Sequence, residues 1–292
     1  RELLEASLAR EPERDDLRLK LLTVHLEQGN REEAEQEARR LHEGGNPAVR
    51  DEVERLLERH GVPLPGICVA YEGMEQFFPK EKIVLTGNPC RQDLVISEEN
   101  REEGYAFFGL DPAKKTILMV GGSLGARTLN ESITRAFPVF AGSDDVQVIW
   151  QCGKYYYKEM QHLQADGKIP ANVKLLDFVS RMDYAYSVAD LVISRAGAGS
   201  ISEFSLLKKA VILVPSPNVA EDHQTKNAKA LVDKDAAVMV SDKLAPDVLF
   251  DVALALVRND EQRKQLSDNI GKLAQHDSAE RIVNEIEKII GR

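Results

Sequence analysis

TILMVGGSLGARTLN (residues 116–130) passes from a short apolar run through paired glycines into a helix-like segment that continues to about Phe140. Thr116 to Val120 have the composition of a buried strand. Gly121 and Gly122 then allow positive φ and a close approach of the backbone to a ligand. The unpaired N–H groups and partial positive charge of a helix start favour an anion such as phosphate over such a turn. Many strand-to-helix turns need glycine for geometry alone, so the loop takes its meaning from the chain downstream of it.

That downstream chain alternates regularly. Apolar runs recur near 146–151 (VQVIWQ), 173–178 (VKLLDF), 190–194 (DLVIS), 210–214 (AVILV) and 236–240 (AAVMV). Upstream lie ICVAY (67–71) and a run at 83–86. Helical patterns separate them, at about 99–108, 126–140, 154–165, 181–188, 199–208, 223–233 and 246–258, with two or three more helices to Ile290. Apolar runs without polar alternation, joined by helices, predict an α/β fold with a parallel sheet covered on both faces. Ligands of such sheets bind at the carboxyl ends of the strands.

Residues 1–66 differ in kind. They hold 11 basic and 16 acidic residues and little β-forming sequence. Helical spacing of Leu17, Leu21, Val24, Ala34, Ala38 and Leu41 predicts four helices, at about 2–10, 15–28, 31–43 and 47–60, broken at Gly29-Asn30 and Gly44-Gly45-Asn46-Pro47. Gly61-Val-Pro-Leu-Pro-Gly66 reads as a linker, so the expected division is a helical module at 1–62, a linker at 63–66 and an α/β domain at 67–292. His25 and His42 read as ordinary helix residues.

Composition narrows the functional classes. A net charge of −10 over 292 residues argues against general nucleic-acid binding. Cys68, Cys90 and Cys152 fit neither a zinc spacing nor a disulfide framework, which points to a reducing cytoplasm. No apolar run reaches the length of a membrane span, and no signal peptide opens the chain. The start at Arg1 reads as a trimmed or partial sequence.

Four clusters fall in the loops after strands. They are Thr86-Gly87-Asn88-Pro89 with Arg91; Gly121-Gly122-Ser123 with Gly125; Ser194 to Gly199 running into Ser200, Ser202 and Glu203; and Pro215 through Glu221-Asp222-His223-Gln224 to Asn227. The glycine loop can hold a diphosphate on backbone donors, with the Ser123 hydroxyl as one more and Arg91 as a fixed positive charge. Glu203, one turn into its helix, can accept both hydroxyls of a ribose. Gln224 and Asn227 lie three apart on one helix face, and their amides suit sugar hydroxyls. His223 can donate to a phosphate or sugar oxygen. Singly, each has an ordinary alternative: a surface ion pair for Arg91, a dipole-favoured carboxylate for Glu203, surface polarity for the amides. Jointly, at the ends of successive strands, they read as a site. Asp144-Asp145 lacks the spacing of a metal-binding pair and reads as a turn.

The motifs TGNPCR (86–91), MVGGSLGARTLN (119–130), WQCGK (150–154), DFVSRM (177–182), RAGAGSISE (195–203) and HQTKNA (223–228), in that order, resemble the peptidoglycan N-acetylglucosaminyltransferases of the MurG type over about residues 67–292. The resemblance implies a Rossmann-like half of a two-domain GT-B glycosyltransferase. It implies transfer of N-acetylglucosamine from UDP-N-acetylglucosamine to a lipid-linked muramyl-pentapeptide with inversion, without cofactor or protein-bound metal, in the cytoplasm or peripherally at the inner face of the plasma membrane. Carried over by motif, Arg91, Gly122 and Ser123 meet the diphosphate, the backbone around Phe178 and Val179 reads the uracil, Glu203 the ribose, and Gln224 and Asn227 the sugar. Where the family has a further glutamine before Gln224, this chain carries His223.

The family's acceptor-side domain has a GGTGGH-like loop that is not found here. Segment 17–41 resembles a tetratricopeptide-type hairpin, and 1–66 as a whole resembles the helical region of FimV-type proteins. The expectation is therefore a composite chain: a donor-binding half, with poor or absent turnover, joined to a helical interaction module. No catalytic base is assigned. The alternative is a helical module with a protein partner, fused to a nucleotide-binding scaffold. A nicotinamide-dependent epimerase or dehydrogenase fits less, because GGSLGA is not the G-x-G-x-x-G fingerprint.

Overall fold

The computed structural model describes residues 1–292 except 45–46, 61–65, 77, 92–93, 220–221 and 291–292; for 42–43, 58, 76 and 289–290 it describes the backbone alone. The expected break at Gly45-Asn46, most of the 61–66 linker, Glu221 and the His42 side chain thus lie outside the described residues. Contacts divide the chain into two compact units, Arg1–Thr86 with Glu280–Arg292, and Gly87–Ala279.

The first unit opens with α1 (Glu2–Arg10), α2 (Asp15–Glu27), α3 (Arg31–Gly44) and α4 (Pro47–Arg59), close to the four helices expected. Their core joins Leu22, Ala34, Ala38, Leu41, Val53, Leu56 and Leu57. Ala34 and Ala38 are buried, and small residues there allow α2 and α3 to pack closely. Arg18 on α2 reaches Glu37 on α3 at 2.9 Å. His25 is buried in α2, and its Nδ1 has no hydrogen-bond partner among the described residues. Two short strands, β1 (Ile67–Val69) and β2 (Ile83–Leu85), pair in parallel with each other in a separate two-stranded sheet. They therefore group with the four helices, whereas the sequence reading places everything after the linker in one domain.

The second unit is built on a six-stranded sheet of β3 (Lys115–Val120), β4 (Val146–Gln151), β5 (Val173–Leu176), β6 (Leu191–Ser194), β7 (Val211–Leu213) and β8 (Val238–Met239). Every pairing is parallel, in the order β5-β4-β3-β6-β7-β8. The helices before, between and after its strands are α5 (Glu98–Phe108), α6 (Arg127–Arg135), α7 (Phe137–Ala141), α8 (Tyr157–Ala165), α9 (Met182–Val188), α10 (Ala198–Leu206), α11 (His223–Val232), α12 (Ala245–Arg258) and α13 (Asp260–Gly271); α14 (Ser278–Ile290) falls almost wholly in the first unit. Central strands buried along their length, such as Ile117–Met119 and Leu191–Ile193, explain the unbroken apolar runs. The helix expected over 126–140 is two helices. Pro138 in the first turn of α7 has no N–H to continue the ladder of α6.

The strand order reverses direction between β3 and β6. The chain moves outward from β3 through β4 to β5, then returns across β3 to start β6. Connections on the two sides of that point run to opposite faces, which leaves a crevice at the carboxyl ends of β3 and β6. The glycine loop at Gly121 and the loop beginning at Arg195 flank it. Asp144-Asp145 sits at the other end of the sheet, in the bend before β4, where the Asp145 carboxylate pairs with Arg258 at 2.7 Å.

Candidate functional site

A cavity of about 680 Å³ opens at this crevice. Gly121, Gly122, Gly125 and the first turn of α6 (Ala126, Arg127, Thr128) line one side; Arg195, Ser216, Pro217, Asn218, Gln224 and Asp242 line the other. Gly122 and Gly125 take left-handed φ values of 86° and 88°. The loop closes on itself through the Gly125 N–H, which donates to the Gly122 carbonyl at 2.9 Å. The Gly121 N–H donates to Gln151 Oε1 at 3.1 Å. Two of the backbone donors expected to grip an anion are thus used inside the protein. The donors that remain for an anion are those of the rest of the loop and the opening N–H groups of α6, which have no intrahelical acceptor.

The loop is packed against the end of β4. A Cβ on Gly125 would lie 2.1 Å from the Cys152 carbonyl oxygen, and one on Gly153 would lie 2.2 Å from Gly125 Cα. Asn130 on α6 donates to the Cys152 carbonyl at 3.0 Å and accepts from Trp150 Nε1 at 2.9 Å. Burial pushes the Cys152 thiol up to about 11, which keeps it protonated and unreactive.

On the far side, Arg195 Nη1 donates to the Val214 carbonyl at 3.0 Å and the Pro215 carbonyl at 3.3 Å, and pairs with Asp242. The other Asp242 oxygen accepts from Thr128 Oγ1 at 2.9 Å. Asp242 therefore joins the β6 and β8 loops to the first turn of α6. The pair is mostly enclosed, with side chains 16% and 20% exposed. The sequence shows Arg195 within a motif but gives it no role, and it does not single out Asp242 or Thr128, because nothing local marks the three as neighbours.

Of the nine residues expected at the site, Gly122 and Gln224 line this cavity. Gln224 Oε1 accepts the Ser216 N–H at 2.9 Å, and Asn227 Nδ2 donates to the Ala196 carbonyl at 3.1 Å. Both amides thus brace neighbouring loops from the first turns of α11. His223 is exposed at the start of the same helix. Ser123 is exposed on the glycine loop, and its carbonyl accepts the Lys154 N–H at 3.4 Å.

Glu203 belongs to a second group, on α10. The Tyr186 hydroxyl donates to Glu203 Oε2 at 2.9 Å. Burial, then the nearby Glu203 charge, hold the Tyr186 hydroxyl far above its usual range, so it remains a donor at all physiological pH. Arg91 is exposed, and its charge acts on Tyr186. Asn88 Nδ2 donates to Ser202 Oγ at 3.1 Å, which ties the segment around Asn88 to α10. Tyr186 carries no signal in the sequence; its proximity to Glu203 is a product of the α9–α10 arrangement. Phe178 and Val179 lie just beyond β5. Phe178 is half exposed beneath the Lys154 ammonium at 5.4 Å, its N–H donates to Asp177 Oδ1 at 2.7 Å, and Val179 is buried.

A six-stranded parallel sheet with a glycine loop and a helix start at its switch-point crevice is a Rossmann-like arrangement, and the structural likenesses make it half of a GT-B glycosyltransferase. The family model described as "Glycosyltransferase family 28 C-terminal domain" matches residues 116–282, and the chain belongs to that family. It is 63% identical over 227 residues to the UDP-N-acetylglucosamine--N-acetylmuramyl-(pentapeptide) pyrophosphoryl-undecaprenol N-acetylglucosamine transferase of Parabacteroides distasonis, covering 77% of this chain and 61% of that protein. It is 56% identical over 224 residues to the protein of the same description from Bacteroides thetaiotaomicron, covering 76% and 60%. Among solved structures, MurG of Acinetobacter baumannii is similar with a TM-score of 0.61 at 29% identity, over 82% of this chain and 63% of that one. The calicheamicin glycosyltransferase CalG4 shares the fold, with a TM-score of 0.55 at 16% identity, over 85% and 60%. The chain spans about three fifths of the length of the curated relatives it matches. With the family shown, the reading as a helical module on a nucleotide-binding scaffold is not favoured.

Proposed function

We propose that the unit Gly87–Ala279 binds UDP-N-acetylglucosamine as the donor half of the enzyme that transfers N-acetylglucosamine to a lipid-linked muramyl-pentapeptide. The observation that carries this is the cavity at the β3–β6 switch point, lined on one side by the glycine loop and the start of α6. The high identity to transferases of that description supports the choice of sugar nucleotide.

In this reading the diphosphate lies over Gly122, Ser123 and the first turn of α6. The ribose meets the Glu203 carboxylate, one oxygen of which Tyr186 already holds. The base sits by Phe178 and Val179, and the sugar by Gln224, Asn227 and His223, with Arg91 as a further cation on the α10 side. Attack by an acceptor hydroxyl on the anomeric carbon inverts that centre and expels UDP. Negative charge then grows on the leaving diphosphate, where the helix dipole and backbone donors stabilise it without reorganising. The acceptor hydroxyl must also be held in line and lose its proton to a base; the donor half serves the leaving group. Among the described residues no helix is long and apolar enough to cross a membrane. A cytoplasmic enzyme attached peripherally to the inner membrane face suits a lipid-linked acceptor and a nucleotide-sugar donor.

Isothermal titration of the chain with UDP-N-acetylglucosamine, UDP and UDP-glucose tests the proposal. Saturable heat is expected for the first two, with UDP-glucose weaker. Absence of binding by UDP at millimolar concentration overturns it.

A further inference from the structure

Gln151, the last residue of β4, has no role in the proposed donor site, yet its side chain touches both halves of it. It is 4% exposed. Its Oε1 accepts the Gly121 N–H at 3.1 Å, at the root of the glycine loop. Its Nε2 donates to the Gly122 carbonyl at 2.9 Å and to the Asp177 carbonyl at 3.1 Å. Gly121 and Gly122 begin the loop proposed to hold the diphosphate. Asp177 immediately precedes Phe178 and Val179, the segment proposed to read the base. One planar amide therefore spans the ends of β3 and β5 from the strand between them, and its acceptor and both its donors are used.

We infer that Gln151 is a positioning residue that sets the distance between phosphate recognition and base recognition. The inference rests on the donor-site reading of these two loops. A nucleotide joins its base and phosphates by a short covalent tether of limited span, so its two ends bind together best where the two loops are held in register. Preorganisation of that register favours the joined ligand over either fragment. A buried amide suits the task because its geometry is rigid and because leaving any of its partners unpaired is costly. The same strand carries an internal control. Gln147, also buried, bonds Asp111 and Thr116 in the same manner near the opposite end of β4, remote from the cavity.

The test compares Gln151→Met, Gln151→Glu and Gln147→Met with the unaltered chain, using UDP by calorimetry and uridine and pyrophosphate separately by NMR titration. Gln151→Met is expected to weaken UDP by about tenfold or more, on the scale of two to three lost hydrogen bonds, while each fragment loses less than about threefold. Gln151→Glu keeps an acceptor for Gly121 but sets a carboxylate against two carbonyls, and is expected to lose more. Gln147→Met is expected to lower the melting temperature with UDP affinity unchanged. Equal losses for UDP and its fragments, or no loss, overturn the role of Gln151. Failure of the unaltered chain to bind UDP overturns the donor-site reading itself. Should the Gln151 variants not fold, amide exchange on the unaltered, ligand-free chain decides: the Gly121 N–H is expected to be protected against exchange, and rapid exchange there refutes the lock.

Discussion

Gly122 and Gly125 both adopt left-handed φ, at 86° and 88°, yet the structure assigns them different sensitivities to alanine. Around Gly122 nothing lies within 4 Å of where a Cβ would stand. Gly122→Ala therefore costs only the conformational strain of a left-handed alanine, about 1–2 kcal/mol. At Gly125 the same strain applies, and the new Cβ would also stand 2.1 Å from the Cys152 carbonyl oxygen and 2.9 Å from the Tyr156 ring. The oxygen belongs to backbone that Asn130 also holds, so it cannot rotate away as a side chain would. The loop must lift from the end of β4, which breaks the Lys154 N–H bond to the Ser123 carbonyl and opens the packing of Gly125 on Gly153. Overpacking of 1–3 kcal/mol and a lost hydrogen bond near 1 kcal/mol, added to the strain, bring the expected cost to about 3–6 kcal/mol. For a unit of this size each kcal/mol lowers the melting temperature by about 2–4 °C. Gly122→Ala should therefore melt about 2–8 °C low and Gly125→Ala about 6–24 °C low. Gly125→Ala should also lose UDP binding at temperatures where it remains folded, because the start of α6 moves with the loop. Differential scanning fluorimetry and calorimetry read both effects. Equal melting shifts for the two variants, or a larger one for Gly122→Ala, would refute the claim that β4 and the glycine loop are in backbone contact.

Glu203→Ala should weaken UDP by about tenfold or more, on the scale of a hydrogen bond to a charged group, and pyrophosphate hardly at all; equal losses in titration would reject a ribose role. Asp242→Asn removes the charge that faces Arg195 while keeping the shape, and should destabilise the unit by about 1–3 kcal/mol in chemical denaturation, the pair being mostly enclosed. An unchanged denaturation midpoint would show that the pair is solvated. Lys209, whose ammonium donates to the Ala189 carbonyl at 3.0 Å, is lowered by burial from 10.5 to about 8. Between those values the unfolded chain binds the extra proton and the folded chain does not, so stability should rise with pH from about 8 to 10.5, by up to roughly 3 kcal/mol. Lys209→Met should flatten that rise, and parallel pH–melting curves for the two proteins would contradict it.

Strands, helices and the placement of the glycine loop are legible in the sequence alone. They depend on local properties: unbroken apolar runs, helical spacing, and glycines where the backbone must turn. Where the local reading erred it did so locally, as at Pro138, which ends one helix and begins another. The motifs also marked Glu203, Gln224 and Asn227 as worth watching, but not what they touch. That Gln224 braces Ser216, that Asn227 holds the Ala196 carbonyl, and that Tyr186 holds Glu203 are facts of packing between distant segments.

The order of the strands belongs to the same category. A run of buried parallel strands is compatible with several orders, and each has the same sequence signature. Only the packed sheet puts β6 beside β3, and with it the Arg195 loop beside the glycine loop, so that a crevice exists between them. Likewise the amides of Gln147 and Gln151 look alike in the sequence of one strand; their partners, at opposite ends of the sheet, distinguish a structural tie from a tie at the proposed donor site. Local chemistry reports which groups can bind an anion or a hydroxyl. Which of them converge depends on long-range pairing and helix packing, whose energies come from surfaces that meet only in the folded chain.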